Sequence, residues 1–423
     1  MTVNLNLTKL VLPADHRHTV SGPLPSKLGN HDGDSKIDDS GLRDSSAVFT
    51  PPTTPEKSEN PLQHRIDETE PEILDYDFSK LDYELDRAKL LGSGLWSDVY
   101  LAEPTSPQPS QTSPTTLLTP PPTPQKSSQT SFALKYAIKL PIRRDAHEVF
   151  QQEAKTLTHI QRQRSSETFV VPFHGLDPRN SALVFTALES GSLHDLSNRM
   201  SQMTEVARHQ ELVLHFPSLA HDLTSGLEFL HSTAGVIHAD IKPANILLSP
   251  SARNPKLFQA RYADFSASFQ FQPLPSSSST TSSPTPTTTP IAPAAGAGTW
   301  TYLAPELLST SSSLPTPASD TWSLGLTLLS LIILGSPYAA ACGDNPFRLR
   351  EAIKLGDPLG FAAMDPLARE RMRACQGFVD FCRLGLQRDA GRRVGVGGWR
   401  KGGLEGGWGG EVAGGSSETA RGV

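Results

Sequence analysis

Val236-Ile237-His238-Ala239-Asp240-Ile241-Lys242-Pro243-Ala244-Asn245-Ile246-Leu247-Leu248 sets an aspartate, a lysine two residues on and an asparagine five residues on inside a bracket of apolar residues. Polar groups held between runs that favour burial need partners or a task. The residue types suit group transfer. Asp240 would orient a hydroxyl and accept its proton, and Lys242 would neutralise charge on a transferring phosphoryl group. Asn245 would offer its carbonyl oxygen to magnesium, a hard cation.

Working outward, Ala263-Asp264-Phe265-Ser266 puts a carboxylate at a strand end, where Asp264 would hold the metal that bridges phosphates. Gly298-Thr299-Trp300-Thr301-Tyr302-Leu303-Ala304-Pro305-Glu306 follows, then Asp320-Thr321-Trp322-Ser323-Leu324-Gly325 at the head of an apolar run. Upstream, Tyr136-Ala137-Ile138-Lys139 reads as a strand ending in lysine, followed by a helical stretch near His147 to Ile160 that bears Glu153. An ion pair between Lys139 and Glu153 would aim the ammonium at α- and β-phosphates. Phe132-Ala133-Leu134-Lys135 offers a second lysine in the same strand phase; the length of the loop to the helix favours Lys139. Further upstream, Leu91-Gly92-Ser93-Gly94-Leu95-Trp96-Ser97-Asp98-Val99 fits G-x-G-x-x-S-x-V between two strands. Gly92 and Gly94 let backbone approach phosphates closely and donate N–H groups. A dinucleotide fold would need a helix next, and Val99-Tyr100-Leu101-Ala102 reads as strand.

In this order the motifs resemble the signature of the eukaryotic protein kinase family, over about three quarters of the chain. The resemblance implies an α+β, two-lobed fold, a small β-rich lobe before a larger helical one, with ATP and Mg2+ in the cleft. It implies adenine-pocket roles for Leu91, Val99, Ala137 and Leu247, a back-of-pocket role for Phe185, and a hinge from Thr186 to Leu188. Glu306 and Arg393 match the family's ion pair between the activation segment and the late helical region. Lys242 and the Gly298-Thr299 pair resemble the serine/threonine branch, so protein substrates with Ser or Thr acceptors are expected. The alternative is a pseudokinase scaffold that binds ATP or partners without efficient transfer.

Two departures matter. Ala239 stands where most members carry an arginine that pairs with a phosphorylated activation segment, so activity without that phosphorylation is expected. Ser266 replaces the glycine that usually follows the metal aspartate and phenylalanine; it restricts backbone freedom and removes no ligand.

The rest of the 423 residues is read from composition. Hydrophobic residues make up 37%, and 36 prolines cluster in stretches that cannot pack. Residues 1–80 read as a disordered region, 81–394 as the kinase domain, and 104–131 and 273–297 as disordered inserts rich in Pro, Ser and Thr. Between Gly395 and Val423, 12 of 29 residues are glycine, which excludes a terminal helix on propensity alone. Thr54-Pro55, Thr119-Pro120, Thr123-Pro124, Ser283-Pro284 and Thr285-Pro286 suit proline-directed kinases as partners. The net charge of −6 gives no reason to expect nucleic acid or a membrane surface. The run Trp322 to Leu334 falls short of the roughly 20 residues of a membrane span. With no secretory signal in Met1 to Pro13 and three cysteines lacking metal-ligand spacing, a cytoplasmic or nuclear location is the expectation.

Overall fold

The computed structural model describes residues 73–79, 82–94, 96–105, 135–271, 300–309 and 314–403. The Ser/Thr-Pro sites, nearly all of both inserts, and Gly298-Thr299 lie outside these residues.

The small lobe contains β1 (Asp82–Tyr83), β2 (Lys89–Ser93), β3 (Ser97–Ala102), β4 (Pro104–Thr105), β5 (Tyr136–Pro141), α1 (Ala146–Gln161), α2 (Ser166–Phe169), β6 (Phe173–Asp177) and β7 (Ala182–Thr186). Five of the strands form one antiparallel sheet in the order β2-β3-β5-β7-β6. Strand alternation gives the sheet two faces. Tyr136 and Ile138 point into a cluster with Tyr76, Tyr83, Ala102, Ala182 and Val184, which leaves Ala137 and Lys139 for the face that carries α1.

The large lobe follows as α3 (Leu193–Ser201), α4 (Glu205–Glu228), β8 (Val236–Ile237), β9 (Ile246–Pro250), β10 (Phe258–Tyr262), β11 (Phe269–Gln270), α5 (Pro305–Ser309) and α6 (Pro317–Ile333). It closes with α7 (Ala339–Cys342), α8 (Pro346–Leu355), α9 (Pro358–Ala362), α10 (Pro366–Ala374), α11 (Gln376–Gly385) and α12 (Val396–Gly403). The apolar run read from the sequence forms most of α6, which Thr316 caps through Ser319 N–H with Pro317 in the first turn. Trp322, Leu324, Leu326, Leu328, Leu329 and Ile332 are fully buried, so α6 is the spine of this lobe. Among the described residues no helix is long and apolar enough to cross a membrane.

Three boundaries differ from the sequence reading. The fold begins before residue 81: Ile73–Ser79 lies along β6, with Asp75 bridged in parallel to Leu176. Pro104 and Thr105, read as the start of an insert, pair with Tyr83 and Asp82. The largest difference is at the other end, where α12 forms from Val-Gly-Gly-Trp-Arg-Lys-Gly-Gly. The Trp399 side chain is 0% exposed, stacks on Phe381 at 5.2 Å, and donates its indole N–H to the Phe381 carbonyl at 2.9 Å. Gly385 makes the room, since a Cβ there would lie 2.6 Å from the indole ring. Each helical glycine costs about 1 kcal/mol relative to alanine. Burying an indole returns roughly 4–6 kcal/mol. Tertiary packing therefore outweighs the propensity that argued against a helix.

Candidate functional site

Lys139 arrives at the cleft on β5, paired with Val99 of β3 and Leu183 of β7. Its ammonium meets both carboxylate oxygens of Glu153, at 2.8 and 2.7 Å. Glu153 is 1% exposed, on the face of α1 that buries Phe150, Ala154 and Leu157. A charge so placed is costly unless paired, and Lys139 supplies the pairing. The other lysine, Lys135, lies at the surface and pairs with Glu189 at 3.1 Å.

Asp264 completes a three-group cluster by accepting from Lys139 at 2.9 Å through Oδ1. Its φ of +61° is uncommon for a residue with a side chain and costs roughly 1–3 kcal/mol. Its neighbours hold it there. Phe265 N–H donates to Glu153 Oε1 at 3.2 Å, the Phe265 ring is buried against His238 at 4.7 Å, and Ser266 Oγ–H donates to Asp264 Oδ1 at 2.8 Å. Burial works against the Asp264 charge, but the Lys139 ammonium outweighs it and holds this carboxyl well below the ordinary carboxylate range. Burial likewise opposes the Lys139 charge, and the two carboxylates override it, so its pKa lies above the usual lysine value.

The loop from His238 to Asn245 carries the second half. Asp240 Oδ2 accepts from Lys242 Nζ at 2.7 Å and from Asn245 Nδ2 at 2.9 Å. Asn245 Nδ2 also donates to the Asp240 carbonyl at 2.9 Å, which fixes the loop's return. With its amide nitrogen spent on Asp240, Asn245 has its carbonyl oxygen to offer a cation. Together with the Asp264 carboxylate this makes a pair of hard oxygen donors. Such a set fits magnesium, which takes one or two protein ligands and fills its octahedron with water and phosphate oxygens. Burial raises the Asp240 pKa above the ordinary aspartate value, against the opposing pull of Lys242.

Sequence reasoning assigned no role to the residue that holds this loop. Asp320, 1% exposed in the first turn of α6, accepts from the backbone N–H groups of His238 at 2.8 Å and Ala239 at 2.9 Å, and from His231 Nε2–H at 3.0 Å. It thereby sustains a φ of +65° at Ala239. A lone acid heading an apolar helix was the available signal, because a buried carboxylate requires donors. His238 Nε2–H in turn donates to the Ala263 carbonyl at 3.1 Å, joining the loop to the Asp264 segment.

The residues assigned to an adenine pocket lie on the elements bordering the cleft. Val99 and Ala137 sit half-buried on β3 and β5; Phe185 on β7 is paired with Ala137. Leu188 and Leu247 are half-buried, and the chain at 191 bonds Leu248 N–H at 2.9 Å. Leu91 is an exposed rim residue. Gly92 has open space where a Cβ would be, and Gly94 N–H donates to the Ser97 carbonyl at 2.7 Å, which tightens the β2–β3 turn. Glu306 and Arg393 form a two-pronged pair with both distances 2.6 Å, and the guanidinium also donates to the carbonyls of Gln387, Ala318 and Arg388.

A model of the protein kinase domain matches residues 123–396, beginning after the glycine-bearing strands. Mitogen-activated protein kinase kinase 1c of Physcomitrium patens is 27% identical over 251 residues, 58% of this chain and 62% of that protein. The dual specificity mitogen-activated protein kinase kinase 1 of Dictyostelium discoideum is 32% identical over 215 residues, 51% of this chain and 27% of that protein. A serine/threonine-protein kinase of Saccharomyces cerevisiae is 26% identical over 280 residues, 62% of this chain and 54% of that protein. The chain thus spans less than two thirds of the length of each of these relatives. The family match covers well over half of the 423 residues, and it coincides with a β-sheet lobe joined to a helical lobe around the Lys139–Glu153–Asp264 cluster: the chain belongs to the protein kinase family.

Proposed function

We propose that this chain is an ATP- and magnesium-dependent protein kinase that phosphorylates serine and threonine hydroxyls. The observation that carries the reading is the Lys139 ammonium held between Glu153 and Asp264 while Asp240, Lys242 and Asn245 form one bonded unit on the adjoining loop. A scaffold that only binds has no use for a carboxylate kept partly desolvated beside a lysine. Lys139 would orient the α- and β-phosphates, with Glu153 fixing its direction. Asp240 would align the acceptor hydroxyl and take its proton, and Lys242 would offset charge on the transferred group. Asn245 and Asp264 would hold magnesium, which neutralises phosphate charge and bridges the oxygens of the transferring group.

Lys242 and the Gly298-Thr299 sequence support Ser/Thr acceptors; one relative's name speaks of dual specificity. Acid hydrolysis of a generic protein substrate labelled by the full chain should yield phosphoserine and phosphothreonine. Phosphotyrosine as the main product would overturn this acceptor class.

The activation segment is proposed to act without phosphorylation. Ala239, where the family's arginine would stand, packs against Ile237, Phe269 and Phe271, and its methyl side chain brings no charge to meet a phosphate. Specific activity should be the same before and after phosphatase treatment, and a large loss would refute the proposal.

The pH profile follows from Asp240. A general base works only when deprotonated, so activity falls as pH drops through its pKa. Because burial raises that pKa, the acid limb of kcat/KM should lie above the ordinary aspartate range. Lys242→Ala removes the charge that pulls the pKa down, so its acid limb should move further up. A limb unmoved or shifted down would refute the assignment.

A further inference from the structure

We propose that residues 73–79 act as a strap that positions α1, and so aims Glu153 at Lys139; the proposal rests on the functional reading above. The strap is tied to the small lobe at several independent points. Tyr76 N–H donates to the Leu176 carbonyl at 3.0 Å and Leu176 N–H to the Leu74 carbonyl at 2.8 Å, so this segment extends the sheet beyond β6. The direct tie to α1 is Leu74 N–H, which donates to Thr158 Oγ1 at 3.0 Å. Thr158 is buried five residues beyond Glu153 on the same helix, and its neighbour His159 donates through Nε2 to the Ala234 carbonyl of the large lobe at 2.7 Å. The last turn of α1 is therefore held from two sides, by the strap and by the large lobe.

Side chains anchor the strap across both cores. Ile73 packs against the cluster that contains Phe150, Ala154 and Leu157 of α1. Tyr76 is buried on the opposite face of the sheet, edge-on to Phe78, Tyr83 and Tyr136 at 4.8, 5.9 and 6.0 Å. Phe78 lies under the Arg179 guanidinium at 3.7 Å, and that guanidinium bonds Asp82 and Asp177. Gly175 is shaped for the contact. Its φ is +132°, and a Cβ there would lie 2.6 Å from the backbone of Asp75 and Tyr76. A glycine opened so closely against passing backbone marks a built seat for the strap rather than a chance surface contact. These residues are positioning residues; none touches the reacting groups.

The test uses full-length Tyr76→Ala, which removes the anchor, and Thr158→Val, which keeps the shape of α1 and removes the tie. Tyr76→Phe is the conservative control. Hydrogen exchange should quicken about tenfold across α1, the usual size of a coupling transmitted through packed elements. Exchange in α4 and α6 should stay as in the wild type. kcat should fall by a similar factor with the protein-substrate KM unchanged, and Tyr76→Phe should restore both. Two results would overturn the strap: α1 exchange unchanged in both variants, or acceleration spread equally through α4 and α6, which is plain destabilisation. Should the wild type transfer no phosphate, the functional reading fails by itself. The exchange pattern still decides whether the strap holds α1, and Thr158→Val decides it if Tyr76→Ala does not fold.

Discussion

Asp240→Asn should reduce phosphotransfer by roughly three orders of magnitude, within the range of about 10²–10⁴ that a positioned general base contributes. The substitution is isosteric. An amide oxygen at the same place still accepts from Lys242 or Asn245, which now reach Oδ2 at 2.7 and 2.9 Å, so the loop keeps its shape. What disappears is the capacity to take the proton of the acceptor hydroxyl. Nucleotide affinity should hold, because Lys139, assigned to the α- and β-phosphates, and Asp264, assigned to magnesium, lie outside this bond set, and Lys242 and Asn245 keep an acceptor at position 240. Initial rates with a generic protein substrate, set beside a nucleotide titration, separate the two effects. A variant retaining a tenth or more of the wild-type rate would remove Asp240 from the role of base.

The second large effect concerns stability. Trp399→Ala should cost about 3–5 kcal/mol, the range for deleting a fully buried aromatic side chain. On unfolding entropies typical of domains this large, the shift in Tm is of order ten degrees. The indole is stacked on Phe381, bonded to its carbonyl and seated over Gly385. Truncation therefore opens a cavity between α11 and α12 and also removes the indole's hydrogen bond to the Phe381 carbonyl. Thermal denaturation of the full chain measures it. A shift below about two degrees, less than 1 kcal/mol on that scale, would mean that α12 does not close the lobe.

Much of the site was legible because its chemistry is written in short spacings. Asp240, Lys242 and Asn245 lie within six consecutive residues, so the bracket of apolar neighbours was enough to mark them. The order of lobes was legible for a related reason: strand-length runs precede helical periods, and periodicity is a local signal. The features that escaped depend on partners far along the chain. Asp320 acts on His238 across 82 positions, and Leu74 meets Thr158 across 84. Neither relation leaves a local pattern. The glycine-rich end misled for the opposite reason. Its composition was read correctly, but helix propensity is worth only about 1 kcal/mol per residue, and one buried tryptophan exceeds it. Lys135 and Lys139 likewise look alike in sequence and differ in three dimensions, where Lys139 faces Glu153 and Lys135 faces Glu189.

The most direct test of the central claim counts γ-phosphate label from magnesium-ATP after incubation of the full chain with a generic protein substrate. Label in protein, growing with enzyme and time and roughly a thousandfold lower with Asp240→Asn, is the expected result. Nucleotide binding with no label in protein would contradict it, and would leave Lys139, Glu153 and Asp264 as parts of a binding scaffold.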